Sequence, residues 1–181
     1  MDKAKNIIGA FCLAAVDNFR SAIDSSIGTA GETAAALIMI GAHPGLSVGE
    51  VARALHLTPS GAGRLIDRLE SDGLVVRGAL KGDLRSVVLS LTEAGQARRQ
   101  KALDERANAL SHALHRLTEE EIETVANLLG KALGSLLTER DGQCYRFCRM
   151  CDEVACVPQV CPIEAQWALL FGGEEERARK P

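Results

Sequence analysis

The sequence predicts a mainly α-helical protein that carries one small β-hairpin. Apolar residues recur at helical spacing over most of the 181-residue chain. Two short β-branched runs, LVVRG at residues 74–78 and VVLSL at residues 87–91, flank a glycine-containing turn at residues 80–86, which is typical of a hairpin. The charge is balanced, with 25% charged residues and a net charge of −3, so the chain can fold around a core.

The first half of the chain is predicted to hold four helices. Residues 5–27 have the apolar spacing of a long amphipathic helix, and residues 29–42, apolar on nearly all sides, predict a buried helix. A proline and a glycine end that helix, and a short helix follows over residues 49–56. The next helix begins with Thr58 as its N-cap and ends before Gly73.

Two longer helices are predicted after the hairpin. The first runs from about residue 92 to residue 117, and the second is opened by the capping-box pair Thr118 and Glu121 and continues to about residue 139. A cysteine-rich segment and a polar tail follow. We therefore divide the chain into a first helix (1–28), a part with three helices and the hairpin (29–95), two further long helices (96–140), a cysteine-rich segment (141–163) and a tail (164–181).

The two short helices and the hairpin follow one another in the order of a winged helix-turn-helix, in which the second helix enters the DNA major groove. On that helix Arg64 and Arg68 lie four residues apart and can reach guanine edges or phosphates. Ser60 and the unpaired N–H groups at the helix start suit a phosphate, and Gly61 and Gly63 lie beside it on the outer side.

The hairpin tip adds a second candidate DNA contact. Lys81 and Arg85 stand around a glycine and can enter the minor groove or bind the DNA backbone. Residues 48–100 hold eight Lys or Arg against six Asp or Glu, whereas the rest of the chain that follows is acidic. The middle of the chain is therefore the predicted DNA-binding part.

The run LTPSGAGRLIDRLESDGLVVRG followed by GDLRSVVLSLTEAG resembles the MarR family of bacterial transcription factors. Asp83-x-Arg85, followed by Leu91-Thr92-x-x-Gly95, reproduces the wing motif of that family with its spacing, and the resemblance extends over about residues 5–137. It implies a homodimer built from the first and the last two long helices, which binds a palindromic operator. It also implies repression that a ligand or an oxidant relieves.

The same resemblance implies roles for single residues. Arg85 would reach the minor groove, and Asp83 would help to hold the wing. Gly61 and Gly63 depart from the family, which more often has Thr, Ser or Val there, so these positions offer DNA no side chain but allow a closer backbone approach. A small-molecule effector would bind between the dimer helices and the DNA-binding domain, although no group of polar residues identifies it.

Five of the six cysteines crowd into eighteen residues outside the part that resembles the family. In a reducing compartment such a cluster indicates a metal or redox site rather than disulfides. The spacing Cys148-x2-Cys151-x4-Cys156-x4-Cys161 is that of a zinc knuckle with cysteine in place of histidine, and four thiolates can complete a tetrahedral shell around Zn²⁺. Cys144 is an additional or alternative ligand.

Two other interpretations of these cysteines remain open. Cys161-Pro162 is similar to the end of ferredoxin cluster loops, and four cysteines serve an iron–sulfur cluster as well as zinc. The thiols could also act as a redox switch or bind a soft toxic metal, in which case they would control the affinity for DNA. A further class, a metal-stapled protein-interaction module, would show no DNA binding at all.

Several classes of protein are excluded. No stretch of about 18 uncharged apolar residues occurs, and Asp17 and Arg20 follow the apolar start without a cleavage site, which favours a helix over a signal peptide. We therefore expect a cytoplasmic protein without a membrane partner. The sequence contains no P-loop, dinucleotide glycine fingerprint, nucleophile elbow or HExxH motif, so we expect no enzymatic activity.

Overall fold

The computed structural model describes residues 2–28, 31–80, 83–140, 142–156 and 161–172, with side chains throughout these ranges except at positions 80 and 83–86. The elements found there are, in chain order, α1 (Lys3–Ile27), α2 (Gly31–Ala42), α3 (Val48–Leu55), α4 (Pro59–Ser71), β1 (Val75–Leu80), β2 (Asp83–Leu91), α5 (Glu93–Leu114), α6 (Glu119–Ser135), α7 (Gln143–Cys148) and α8 (Pro162–Phe171). The predicted mainly α-helical fold with one hairpin is confirmed.

Helix α2 lies at the centre of the molecule, because its apolar residues on all sides can be buried only between two layers. One side of α2 packs with α3, α4 and the hairpin, and we call this assembly the helix-turn-helix lobe. Its core consists of Ala36, Leu37, Met39, Ile40, Leu46, Val51, Ala54, Leu65, Ile66, Leu69, Leu74, Val75 and Leu89. The other side of α2 packs against α1 and α5 through a smaller cluster that includes Ile23, Ile38 and Leu103.

Long helix α5 connects the two sides. Arg98 donates a hydrogen bond to the backbone oxygen of Ile27 at 2.5 Å, and Lys101 donates one to that of Ser26 at 2.8 Å, so α5 also satisfies carbonyl groups at the end of α1. At the start of α5, Gly95 lies directly against the backbone of Leu74, the residue before β1, because a Cβ built there would overlap the carbonyl oxygen of Leu74. Only a glycine permits this approach.

Two helices keep much of their apolar surface uncovered within one chain. Only Ile23 and Ile27 of α1 are buried, and only Gly134 of α6 is. The large apolar side chains exposed on these helices are Ile7, Ile8, Phe11, Leu13, Val16, Leu128, Leu129 and Leu133. Among the described helices, none has the length and apolar character that crossing a membrane requires.

The hairpin is longer than the sequence predicts. The turn was predicted over residues 80–86, but β2 already begins at Asp83 and pairs with β1 in antiparallel register from Val75↔Leu91 to Ala79↔Val87. The next pair is Leu80↔Asp83, so three extra residues of β2 form an irregularity opposite a continuous β1. The polar, glycine-containing stretch suggested a turn because composition alone does not separate a turn from a bulged strand.

The C-terminal part also differs from the prediction. Helix α6 ends at Ser135 rather than near residue 139, since the buried amide of Gln143 accepts hydrogen bonds from the backbone N–H groups of Thr138 and Glu139 at 2.7 and 2.8 Å. The boundary drawn after residue 163 falls inside α8, which packs on α6. Between these helices lies a third small core of Leu137, Cys144, Cys161, Ile163 and Trp167.

Candidate nucleic-acid interface and cysteine cluster

The N-terminus of α4 has the predicted geometry. Thr58 caps the helix, with its hydroxyl accepting a hydrogen bond from the Gly61 N–H at 3.1 Å, and Pro59 occupies the first turn. Ala62, Leu65, Ile66 and Leu69 are buried in the helix-turn-helix lobe. Ser60 and Arg64 consequently lie on the exposed side, as the helical spacing predicts. An exposed helix N-terminus of this kind presents N–H groups to an anion.

The two arginines of α4 have different surroundings. Both are exposed, but the Arg68 guanidinium reaches toward the start of α2 and donates a hydrogen bond to the Thr33 hydroxyl at 3.4 Å. Gly61, Arg64 and Arg68 line a shallow open cavity together with Glu32 of α2. Arg64 is therefore the freer of the two arginines to contact a base, because Arg68 has one hydrogen bond to Thr33.

A contact that the sequence analysis missed joins α4 to the hairpin. Arg77 of β1 donates to the carboxylates of Asp67, at 2.6 Å, and Glu70, which lie three residues apart on α4. The hydrogen bond with Asp67 is the main cause that raises the pKa of Arg77, against a smaller opposing effect of burial. Acidic residues at helical spacing shortly before a strand arginine are the sequence signal for this bridge, which fixes the angle between α4 and the wing.

The predicted wing contacts lie largely outside the described residues. Lys81 is outside them altogether, and of Asp83 and Arg85 the structure describes only the backbone, which belongs to β2. The DNA contacts of Lys81 and Arg85 and the wing support by Asp83 therefore remain predictions. The part of β2 that carries Asp83 and Arg85 lies at the end of the hairpin opposite the Val75–Leu91 pair.

The clustered cysteines share one compact region, which we call the cysteine module and define as residues 142–156 together with Cys161. Cys148 ends α7, and the Cys151 N–H donates to the Cys148 carbonyl at 2.8 Å, which folds the two residues and the pair between them into a tight turn. Cys144 and Cys161 are buried, and Cys148 and Cys156 pack against them.

Neighbouring thiols and burial together set the pKa values of the cysteines, with Cys148 acting on Cys151 and Cys161 acting on Cys156. The hydrogen bond with Cys148 lowers the pKa of Cys151 to about 7, with help from Arg106 and Arg149 and against the effect of burial, while the Cys148 pKa is raised. Burial raises the pKa of Cys156 to about 11, and the neighbouring Cys161 adds to this. Across the described ranges, no three His, Cys, Asp or Glu groups stand in an arrangement that could hold a metal ion as it is.

Two polar contacts, neither foreseen from the sequence, attach the cysteine module to the helix-turn-helix lobe. His43, just after α2, donates to Glu153 at 2.7 Å and meets the Tyr145 ring edge-on at 5.2 Å between centroids. This contact lowers the pKa of Glu153. At the other end of the module, Arg146 lies 2.6 Å from Nε2 of His56, the residue that caps α3. No local pattern signals such pairs, because about 90 residues or more separate the partners in sequence.

The chain is similar to known proteins over the part that holds this interface. Residues 27–86 match a family model described as MarR family. The HTH-type transcriptional repressor MdtR of Bacillus subtilis (strain 168) is 34% identical over 89 residues, which is 49% of this chain and 57% of that protein. The chain spans between about half and two thirds of the length of the curated relatives it matches.

Solved structures extend the similarity to most of the fold. The YusO protein from Bacillus subtilis is 25% identical and matches 72% of this chain and 92% of its own, with a TM-score of 0.60. A Mycobacterium tuberculosis MarR family protein, Rv2887, in complex with p-aminosalicylic acid, is 25% identical and matches 72% of this chain and 98% of its own, with a TM-score of 0.58. The fold is a winged helix-turn-helix of the MarR type, and the curated relatives are named as transcriptional regulators.

Proposed function

We propose that this chain is a DNA-binding transcriptional regulator of the MarR type that binds a palindromic operator as a homodimer and represses transcription. The observation that carries the proposal is the exposed N-terminus of α4, with its Thr58 cap and outward Arg64, inside the segment that matches the MarR family model. The name of the relative MdtR supports repression as the outcome. The complex of Rv2887 with p-aminosalicylic acid supports a small-molecule effector.

In the proposed complex α4 lies in the major groove. Arg64 contacts a guanine edge, and Ser60 with the N–H groups beside it binds a phosphate. The absence of side chains at Gly61 and Gly63 lets the backbone approach the DNA closely. Arg68 contributes mainly to the backbone contacts, since Thr33 already holds one of its nitrogens. Lys81 and Arg85 on the wing contact the DNA backbone or the minor groove.

The uncovered apolar faces of α1 and α6 support a homodimer. Monomeric soluble proteins seldom expose a contiguous apolar patch of this kind, and burial against a second copy removes it from water. The occupant is a second copy because the proposed operator is palindromic, so that two recognition helices must be held one DNA turn apart. Sedimentation of the purified protein is expected to give twice the chain mass of 19.3 kDa.

DNA binding can be tested with a duplex that the purified protein selects from a random library. We expect Arg64→Ala to weaken binding to that duplex by about 10- to 100-fold with little effect on random DNA. Arg85→Ala should weaken binding to both and reduce the slope of log affinity against log salt concentration by about one. Arg116→Ala is the matched control, because this exposed arginine lies at the far end of α5, roughly 30 Å along the helix.

Two results would refute the proposal. One is the absence of salt-dependent DNA binding by the wild-type protein, which would leave an interaction module as the function. The other is a pair of Arg64 and Arg85 variants whose footprints equal that of the wild type.

We further infer that Cys148, Cys151, Cys156 and Cys161 bind one Zn²⁺ ion as thiolates. The tight turn from Cys148 to Cys151 suits two bonds to one metal, and Cys148, Cys156 and Cys161 belong to or pack against the same small core. Arg106 and Arg149 act electrostatically on Cys151 and would offset part of the negative charge. The four thiols must close toward one another around the ion, and Cys144 is the alternative donor.

An absorbance spectrum and an elemental analysis of protein purified without oxygen test this assignment. About one zinc per chain and a colourless sample are expected for a four-thiolate site. A brown sample that contains iron and sulfide would show that the cysteines hold an iron–sulfur cluster and not zinc. A metal-free sample that does not take up Co²⁺ with sulfur-to-cobalt absorption bands would leave the thiols as a redox switch.

A further inference from the structure

The cysteine module touches both halves of the molecule. Tyr145 packs against the core of the helix-turn-helix lobe, while Met150 packs against the cluster formed by α1, α2 and α5. At the start of the module, a Cβ added to Gly142 would stand 3.7 Å from the Cβ of Arg53 on α3. The module is therefore in contact with both the DNA-binding helices and the long helices.

One polar contact of the module ends at the turn between α3 and α4. A guanidinium can only donate, so Arg146 donates to Nε2 of His56 at 2.6 Å. His56 caps α3 with a left-handed backbone, at a φ of 53°, and among the described residues it is the one non-glycine with a positive φ. The chain changes direction there toward α4, so the Arg146 contact bears on the orientation of the recognition helix.

The second polar contact lies beside the thiols. Glu153 and His43 line a small cavity together with Cys148 and Cys151, just after the end of α2. Arg146 precedes Cys148 by two residues, and Glu153 follows Cys151 by two. When the thiols close around an ion, the backbone on each side of the Cys148–Cys151 turn is held in one position, and both contacts are held with it.

We propose that binding of Zn²⁺ by the cysteine module raises the affinity of α4, the proposed recognition helix, for DNA. The effect passes through the Arg146–His56 and Glu153–His43 contacts. This inference rests on the proposed DNA-binding function. Helix α7 is short and has no side-chain N-cap, so a bound metal would add folding energy to a weakly stabilised segment. A module that is already ordered restrains the turn between α3 and α4, so that less ordering has to occur when DNA binds.

The test uses the full-length protein and the duplex selected by the wild type. Its affinity is measured by fluorescence anisotropy with added Zn²⁺ and with a zinc chelator, in wild type, Arg146→Gln and Glu153→Gln. We expect Zn²⁺ to raise the wild-type affinity by about tenfold, in the usual range for coupled sites. In Arg146→Gln and Glu153→Gln, the DNA affinity measured with Zn²⁺ should exceed the affinity measured with chelator by less than about twofold. Both variants should still bind as much zinc as the wild type. Glu139→Gln, an exposed residue in the preceding turn, is the control and should respond like the wild type.

Other results would overturn the proposal in distinguishable ways. Contact variants that keep the wild-type response would show that these contacts do not transmit the effect. A protein that binds DNA but no zinc would overturn this inference and the zinc assignment and leave the proposed DNA-binding function intact, whereas zinc binding without DNA binding would overturn this inference and the DNA-binding function. Loss of most helical circular dichroism on chelation, in all variants alike, would mean that zinc acts on folding of the whole chain and not through the two contacts.

Discussion

The helix-turn-helix lobe and the C-terminal segment of residues 142–172 are stabilised in different ways. The lobe has a core of thirteen apolar residues, and its helices α3 and α4 have side-chain N-caps. The core beside the cysteine module has five residues, two of them cysteines, and α7 and α8 have no side-chain N-cap hydrogen bond. Apolar burial can hold the first region by itself, while the second depends on Trp167, on contacts with the lobe and on its thiols.

Removal of Trp167 should have the largest effect, because it should destabilise the C-terminal segment and leave the helix-turn-helix lobe unchanged. Trp167 is 2% exposed, fills the C-terminal core and donates to the Arg140 carbonyl at 3.3 Å. We expect Trp167→Ala to lower the free energy of opening of the C-terminal segment by about 3–5 kcal/mol. Native-state hydrogen exchange should show the loss in α8 while amides of α4 keep their protection.

The control for that variant is Leu169→Ala on the same helix. Its side chain is 81% exposed, so its removal should change little. Equal loss of protection in α4 and α8 would contradict the idea that the two regions are stabilised separately.

A core substitution in the lobe should have the next largest effect. Ile66 of α4 is completely buried among α2, α3 and the hairpin. Ile66→Ala is expected to destabilise the protein to urea by about 2–5 kcal/mol because it leaves a cavity. Val76→Ala, at a position that is 45% exposed on β1, serves as the control. If the two variants unfold at the same urea concentration, the lobe does not depend on this core.

The close contact at the start of α5 predicts a smaller loss. A methyl group at position 95 would overlap the backbone oxygen of Leu74, which cannot move without shifting β1. We expect Gly95→Ala to cost about 1–3 kcal/mol, even though alanine favours helices, with thermal unfolding as the measurement. Gly63→Ala on α4, where an added Cβ meets nothing within 4 Å, should instead be neutral or stabilising. Stabilisation by Gly95→Ala would contradict the predicted overlap.

The smallest effect is expected at a helix cap. Thr58→Ala removes the acceptor for the Gly61 N–H and should destabilise the lobe by about 1 kcal/mol in the same thermal assay. Thr124→Ala, inside α6 on an exposed face, is the control. A Thr58 variant as stable as this control would mean that water replaces the cap without loss.

Local patterns account for what could be predicted from the sequence. The caps at Thr58 and Thr118 and the uniformly apolar α2 are each encoded within a few residues, and the structure confirms them. The prediction of a turn over residues 80–86 was too long, because pairing with β1 and not composition decides where β2 begins. The early end of α6 depends on Gln143, which no helical periodicity anticipates.

Spacing along a helix or a short segment is a local property, so the amino-acid sequence is enough to predict the order of the elements, the outward Arg64 and the crowding of the cysteines. It does not predict that Arg68 reaches Thr33 or that Arg77 bridges to α4. Nor does it predict that His43 meets Glu153 and His56 meets Arg146. These contacts join residues far apart in the chain. Their geometry follows from how α2 and the cysteine module pack, and packing is decided by the whole set of buried surfaces at once.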